Sequence, residues 1–377
     1  MTLESSTSVD ATDEKYQRLI LVHVSRTFAL TIPQLPGDLR RAVTTAYLLC
    51  RIADTIEDEP TLSATRKLHY LTYFSKVAAN EADAGALAAE LGPLLSEKTL
   101  SHERDLVANM DRVMRVCRSL DPRAQQAIGR CVEIMCVGMH HFQRSASTQG
   151  LPRLADLDSY CYHVAGVVGE MLTDLFCAYS AEIAVHGATL RRLAPSFGQG
   201  LQMTNILKDQ WEDRSRGACW LPQDVFARRG FDLDLLRARD EEGFRDSLQE
   251  LIGIAHGHLR HALSFTLLIP RHETGIRRFC AWSIGLALLT LRSIKDNPRF
   301  TAGAQVKISR REVMLVTACS NLTVRSNRML TRLFEFAARD LPLITQANTP
   351  GGDELHAPIR QQWEQEREAS LRSAPSG

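Results

Sequence analysis

The chain has 377 residues, 44% of them hydrophobic, with a formal net charge of +1. That is enough apolar material for a sizeable core, and the interspersed arginines and carboxylates argue against a nucleic-acid stripe or a polybasic membrane patch. The longest uncharged run, FCAWSIGLALLTL at 279–291, is too short to span a bilayer, and nine cysteines without a secretory leader read as reduced cytosolic thiols.

In chain order, residues 1–14 are polar, resemble neither a signal nor a transit peptide, and are expected to be disordered. Apolar residues then recur at three- and four-residue spacing over 38–55, 61–80, 104–119, 122–144, 157–184, 188–212, 243–268, 275–294 and 309–340. Between them lie breaks rich in Gly, Pro and Asp: IPQLPGD (32–38), LGPLLSEKT (91–99), QGLPRL (149–154), DRSRGACWLP (213–222) and DNPRF (296–300). Strand-like alternation is hard to find. The pattern predicts an all-α fold over 15–345, with central helices surrounded by others. Residues 346–377 form a charged tail with no evident apolar face, expected to be flexible or a solvated helix.

Two of these helical runs end in the same lettering. LLCRIADTIEDEP (48–60) carries Asp54, Glu57 and Asp58; NILKDQWEDRSRG (205–217) carries Asp209, Glu212 and Asp213. On a helix, positions i, i+3 and i+4 share a face, so each D-x-x-E-D group converges, with Gln202 and Asn205 on nearly the same line as Asp209. One such cluster alone reads as a solvated helix face. Two identical clusters, each continuing a largely apolar helix, weaken that reading, because crowded carboxylates repel and lose water at a cost unless cations compensate. Mg²⁺ suits such a place: it takes oxygen ligands and is commonly held by one or two carboxylates plus substrate phosphates. Arg51, Lys208, Arg214 and Arg216 lie beside the carboxylates and could neutralise diphosphate oxygens.

With these motifs the chain resembles the squalene and phytoene synthases, the head-to-head prenyl synthases, from about residue 16 to 340. SRTFALTIPQLPGDLRRAVTTAYLLCRIADTIEDE (25–59) resembles the family's first block, DLDSYCYHVAGVVGEMLTDLF (156–176) its central block, and QMTNILKDQWEDRSRGACWLP (202–222) its second acidic block. The resemblance implies the isoprenoid synthase fold, a single helical domain around a central cavity. It also implies Mg²⁺-dependent coupling of two molecules of an allylic prenyl diphosphate, farnesyl diphosphate in the squalene branch, through a cyclopropyl diphosphate. Carried over by motif, Asp54, Glu57, Asp58, Asp209 and Asp213 are expected to bind metal. Ser25, Thr27, Arg51, Gln202, Asn205 and Lys208 are expected to bind substrate. Lys208 departs from the Arg common there, keeping the charge but losing the bidentate fork. Taken alone, Tyr160 reads as a packed helical aromatic; the resemblance makes it the catalytic tyrosine. Gly166 and Gly169 are expected to permit close helix packing or to make room for a prenyl chain.

The segments RRFCAWSIGLALLTLRSI (277–294) and AQVKISRREV (304–313) look like those of the squalene-forming branch, which reduces its product with NADPH. Phe279 would then stabilise a cation by cation–π attraction, and Lys307 and Arg310 would bind NADPH. Two departures weigh against the reductive step: Ser309 stands where a second basic residue is expected, and Phe265 is the nearest aromatic to an expected tyrosine. The alternatives are a phytoene or dehydrosqualene synthase and, from another class, a scaffold protein on the same fold, although intact acidic clusters and Tyr160 do not suggest the latter. The C-terminal anchor of eukaryotic members is missing, so a cytoplasmic chain is expected, with at most peripheral membrane contact for product release. Cys131, Cys136, His140 and His141 share one helix, but are read as buried thiols and partnered histidines rather than a zinc site.

Overall fold

The computed structural model describes residues 11–25, 27–144, 147–234, 242–345 and 352–373. No β-strand occurs among them beyond an isolated bridge between Leu151 and Pro222. The helices of eight residues or more are α1 (Ala11–Val24), α2 (Gly37–Asp58), α3 (Ala64–Ala78), α4 (Ala84–Leu91), α5 (Ser101–Ala108), α6 (Met110–Arg118), α7 (Pro122–Arg144), α8 (Leu154–Cys161), α9 (Val167–Tyr179), α10 (Gly187–Ser215), α11 (Glu242–Leu268), α12 (Thr274–Asp296), α13 (Arg310–Thr323), α14 (Asn327–Ala337) and α15 (Gly352–Ser373).

Most expected helices stand, because each spacing reflects a face that is in fact buried. Helix α2 buries Leu48, Leu49, Ile52 and Ile56 completely. At the centre α10 packs against α9, α11 and α12, while α7 packs against α2, α3 and α9. The α9–α10 contact depends on glycine: a Cβ on Gly169 would lie 2.1 Å from the Ala194 carbonyl oxygen, and one on Gly198 would lie 1.9 Å from that of Ala165. Gly169 is therefore a packing residue.

Four differences from the expected elements have local causes. The run 104–119 is split at Asn109, whose backbone (φ −111°, ψ 24°) leaves the helical region. The run 157–184 contains a π-helical turn at Tyr162–Gly166, seated against α10, and ends at Tyr179. The run 309–340 breaks at 324–326, and Ser326 caps α14.

The fourth difference is at the ends. Helix α1 starts at Ala11, within the segment expected to be disordered, and Asp13 is buried where it accepts from Arg112 (2.8 Å) and Arg115 (2.7 Å). Residues 1–10 lie outside the described residues. The C-terminal helix α15 does have an apolar face, with His356, Ile359 and Trp363 buried and the helix packed on α7. His140 Nε2 and Glu366 Oε2 meet at 2.9 Å across that contact.

Candidate active site

Helix α2 ends where Glu59 turns into extended backbone. The fully buried Glu59 carboxylate accepts from Thr61 N (3.0 Å), Thr61 Oγ1 (2.8 Å), Ser96 N (2.9 Å) and Thr99 Oγ1 (2.6 Å). Burial alone would raise its pKa, but these donors hold it down to about 2. The end of the helix is thereby fixed, and with it the three acids before it.

Those three acids lack comparable compensation. Burial pushes Asp54 up to about 6; Arg51 offsets part of the rise and Asp58 adds to it. Burial, Asp58 and Asp54 push Glu57 up to about 8, although Gln143 Nε2 donates to its carboxylate at 3.2 Å. Asp58, at the exposed end, is raised as well, chiefly by desolvation. Arg51 is held between Asp54 (3.4 Å) and Glu103 of α5, and Lys67 donates to the Glu57 carbonyl. Glu103, Lys67 and Gln143 belong to this site, and no sequence spacing links them to it.

The second cluster ends α10. Burial pushes Asp213 up to about 6; Arg216 offsets part of this, while Asp209, Asp58 and Glu212 add repulsion. Asp58 in turn feels Arg216, so the ends of α2 and α10 act on each other electrostatically. Lys208 Nζ lies 3.0 Å from Asp209 Oδ2. Glu212 plays another part: its Oε1 accepts from Gly303 N at 2.7 Å, holding the segment that leads to Lys307, and its Oε2 is buried without a partner. Arg214 donates to the carbonyls of Thr148 (2.9 Å) and Asp234 (3.1 Å) and anchors loops.

Among the described residues no three His, Cys, Asp or Glu side chains converge closely enough to hold a metal by themselves. The donors still fit Mg²⁺: they are carboxylate oxygens on two facing helix ends, crowded enough that burial and repulsion raise several of their pKa values. Mg²⁺ usually takes one or two protein carboxylates and completes its shell with water and phosphate.

Tyr160 lies at the end of α8, between the two clusters. It is buried, stacked on Trp220 (ring centroids 4.1 Å, 7° between planes) and edge-on to Phe142 (5.3 Å). Burial raises its pKa well above the usual tyrosine value, followed by the negative charges of Glu57, Asp58 and Asp213. The hydroxyl therefore keeps its proton. The π turn begins two residues later, and His163 within it fills the space that Gly138 leaves open. Trp220, in the break after the second cluster, was not singled out by sequence reasoning. Asp174, on α9, pairs with Arg191 at 2.5 Å.

The expected substrate-binding residues are distributed around the acidic ends. Ser25 Oγ accepts from Phe28 N (3.0 Å) beside Tyr47, which lies close enough to Arg51 and Asp54 to feel both charges. Thr27 is exposed. Gln202 is half-buried, about two turns before Asp209, and Asn205 is exposed, about one turn before it. Phe279 is buried in an aromatic cluster, edge-on to Phe176 (6.5 Å), which also meets Phe265 (6.3 Å). Lys307 and Arg310 are exposed, and neither has an ion-pair partner among the described residues. Such cations fit the phosphates of a dinucleotide. Ser309 caps α13, accepting from Glu312 N (3.3 Å) and donating its own N–H to Glu312 Oε2 (2.7 Å).

All nine cysteines are free thiols; Cys131 and Cys136 are buried, and Cys131 lies beside Cys50. No described helix is long and apolar enough to cross a membrane.

Comparison with known proteins decides the family. The family profile described as squalene/phytoene synthase matches residues 21–312. The chain belongs to the squalene/phytoene synthase family. Among curated relatives, the squalene synthase of the fungus Eremothecium gossypii is 28% identical over 327 residues, covering 85% of this chain and 70% of that protein. Human squalene synthase is 30% identical over 304 residues, covering 80% and 68%. Among solved structures, the complex of TcSQS with the ligand E5700 superposes with a TM-score of 0.69 at 23% identity, covering 94% of this chain and 98% of that one. The all-α fold of this chain is therefore the fold of that structure.

Proposed function

We propose that this chain is a squalene-forming transferase, joining two farnesyl diphosphates head to head through presqualene diphosphate and then reducing the product. One observation carries the reading: a buried, protonated Tyr160, stacked on Trp220, sits between two acidic helix ends whose carboxylates are crowded enough to need cations. Profile membership over 21–312 and the squalene synthase relatives support it.

Asp54, Glu57 and Asp58 on one side and Asp209 and Asp213 on the other would hold Mg²⁺, which when bound neutralises the departing diphosphate. Arg51, already oriented by Glu103, presents its guanidinium at the α2 end, and Lys208 presents an ammonium at the α10 end. Ser25, Thr27, Gln202 and Asn205 complete a polar rim for diphosphate. In the first step the C1–O bond of one substrate breaks, its diphosphate leaves, and the C2–C3 double bond of the other attacks C1. Loss of a proton then closes the cyclopropane. Tyr160 carries a neutral hydroxyl where that charge develops, and the Trp220 and Phe142 rings exclude water around it.

Lys307 and Arg310 would hold NADPH, which when bound supplies hydride for the second half. Phe279 would face the second cation. A second reading, release of dehydrosqualene without reduction, is favoured by Ser309, which is engaged as a helix cap, and by Phe265 in an aromatic cluster where a tyrosine is expected.

Incubation with farnesyl diphosphate and Mg²⁺, with and without NADPH, tests the proposal. Squalene with NADPH, and presqualene diphosphate or its breakdown products without it, is the expected result. Dehydrosqualene formation that ignores NADPH would transfer the chain to the second reading.

A further inference from the structure

Helices α13 and α14 form a hairpin that is fixed on its inner side and apolar on its outer side. The inner side is clamped by Arg277, a fully buried guanidinium on α12. It donates to the carbonyls of Val324 (2.7 Å), Thr266 (3.2 Å) and Ile269 (2.6 Å) and to Asn327 Oδ1 (2.8 Å), tying the hairpin's turn to the end of α11. Between hairpin and core lies a small apolar cavity of about 60 Å³, lined by Leu263, Ile284, Val316 and Phe334 among others.

The outer side reverses the usual pattern of a surface helix. On α13 and just beyond it, Arg311, Met314, Leu315, Ala318, Leu322 and Arg325 are all exposed and fall within about 100° of the helix circumference. On α14 and just beyond it the exposed residues include Arg328, Met329, Arg332, Phe336 and Arg339. Leu322 is 83% exposed and Phe336 66%. A contiguous apolar face of this kind marks a contact surface.

Charge identifies the occupant. The carboxylates nearby are already engaged: Glu312 in the α13 cap, Glu335 with Arg260 (3.0 Å) and Asp340 with Arg339 (3.3 Å). Arg311, Arg325, Arg328 and Arg332 have no ion-pair partner among the described residues. A second copy docking through a two-fold axis would press these arginines against their own kind. An anionic lipid surface meets both requirements, since it attracts arginines and receives Met, Leu and Phe at the acyl boundary.

We propose that the α13–α14 hairpin docks the chain reversibly on anionic membranes. The arginines are scattered in the sequence and form a basic face only once the hairpin folds. One consequence rests on the proposed function: a hydrocarbon product with no polar atom would be released next to the phase that dissolves it.

Co-sedimentation of the full chain with vesicles of phosphatidylcholine alone, and of phosphatidylcholine mixed equally with phosphatidylglycerol, tests docking without reference to turnover. The chain should bind the mixed vesicles, and salt should weaken binding. Arg325→Glu with Arg328→Glu should lower partitioning by roughly fivefold or more per arginine. Leu315→Glu with Leu322→Glu should abolish it, with helical content and activity on detergent-dispersed substrate unchanged. Wild-type chain that stays in the supernatant, or variants that bind equally well, would overturn the proposal. So would a dimer that light scattering shows falling to monomer on Leu322→Glu, because the face would then be a self-interface. An inactive chain that still binds vesicles would refute the enzyme reading and leave docking standing.

Discussion

The ends of α2 and α10 carry the same five-residue pattern, yet the protein uses them differently. At the α2 end the acids are tied inward: Glu57 is buried against Gln143, Arg51 is fixed by Glu103, and Glu59 locks the helix terminus. At the α10 end the middle acid is turned outward to a neighbouring segment, with Glu212 holding Gly303 and so the path to Lys307. Spacing puts three carboxylates on one face; the surroundings decide which of them remain available. The first end is a rigid anion cluster, and the second couples its cluster to the segment expected to meet the reductant.

The largest effect should come from the outer acids at either end. Asp54→Asn or Asp213→Asn each removes an anion from the shared site, and either should lower kcat by about a thousandfold or more, the scale of removing a key electrostatic group. Circular dichroism should stay helical. Retention of activity in one variant alone would break the symmetry between the two ends.

Tyr160→Phe comes next. The ring still stacks on Trp220, so only the hydroxyl is lost, and presqualene diphosphate formation should fall about a hundredfold while substrate still binds. Single-turnover kinetics separates the two, and wild-type turnover would return Tyr160 to a packing role.

The middle glutamates sharpen the comparison further. Glu212→Gln should loosen the 301–306 segment and weaken NADPH binding by about 1.5–3 kcal/mol, the scale of a charged hydrogen bond, with the first half-reaction less affected. Glu57→Gln replaces a carboxyl that is protonated up to about pH 8 without cations, and should leave the NADPH KM unchanged. Equal effects on that KM would erase the distinction.

The smallest effect is on stability in the presence of EDTA. Asp54, Glu57 and Asp213 have folded-state pKa values raised above their ordinary values, so their contribution is present below about pH 4. It is lost as pH rises through about 6 for Asp54 and Asp213, and about 8 for Glu57. The lowered Glu59 works in the opposite sense, losing its contribution only as pH falls through about 2. Melting temperature should therefore decline between about pH 4 and pH 8, and Mg²⁺ should restore part of it. Glu57→Gln should flatten the alkaline part of the decline, which Asp213→Asn should leave in place.

Much of this was legible in the sequence wherever one face of a helix decides its structure. Helices α2, α7, α10, α11 and α12 follow from three- and four-residue apolar spacing, and the two acidic faces follow from the same geometry. The π turn was not legible, because it is fitted to α10 through contacts such as Gly198 with Ala165 that spacing along one chain cannot express. Glu103, Lys67, Gln143 and Trp220 reach the site from four separate segments, each chemically ordinary in its own stretch. The apolar face of α15 was obscured in the same way: His356, Ile359 and Trp363 recur at helical steps, but among charges that suggest a solvated tail.

The central claim is that the two acidic ends form one site. A double-mutant cycle on kcat tests it most directly, with Asp54→Asn, Asp213→Asn and the pair compared on farnesyl diphosphate. If the ends act as a unit, the double variant should lose little more than either single one, as groups of one catalytic constellation do. Losses that multiply would mean that the ends act independently, and would contradict the account.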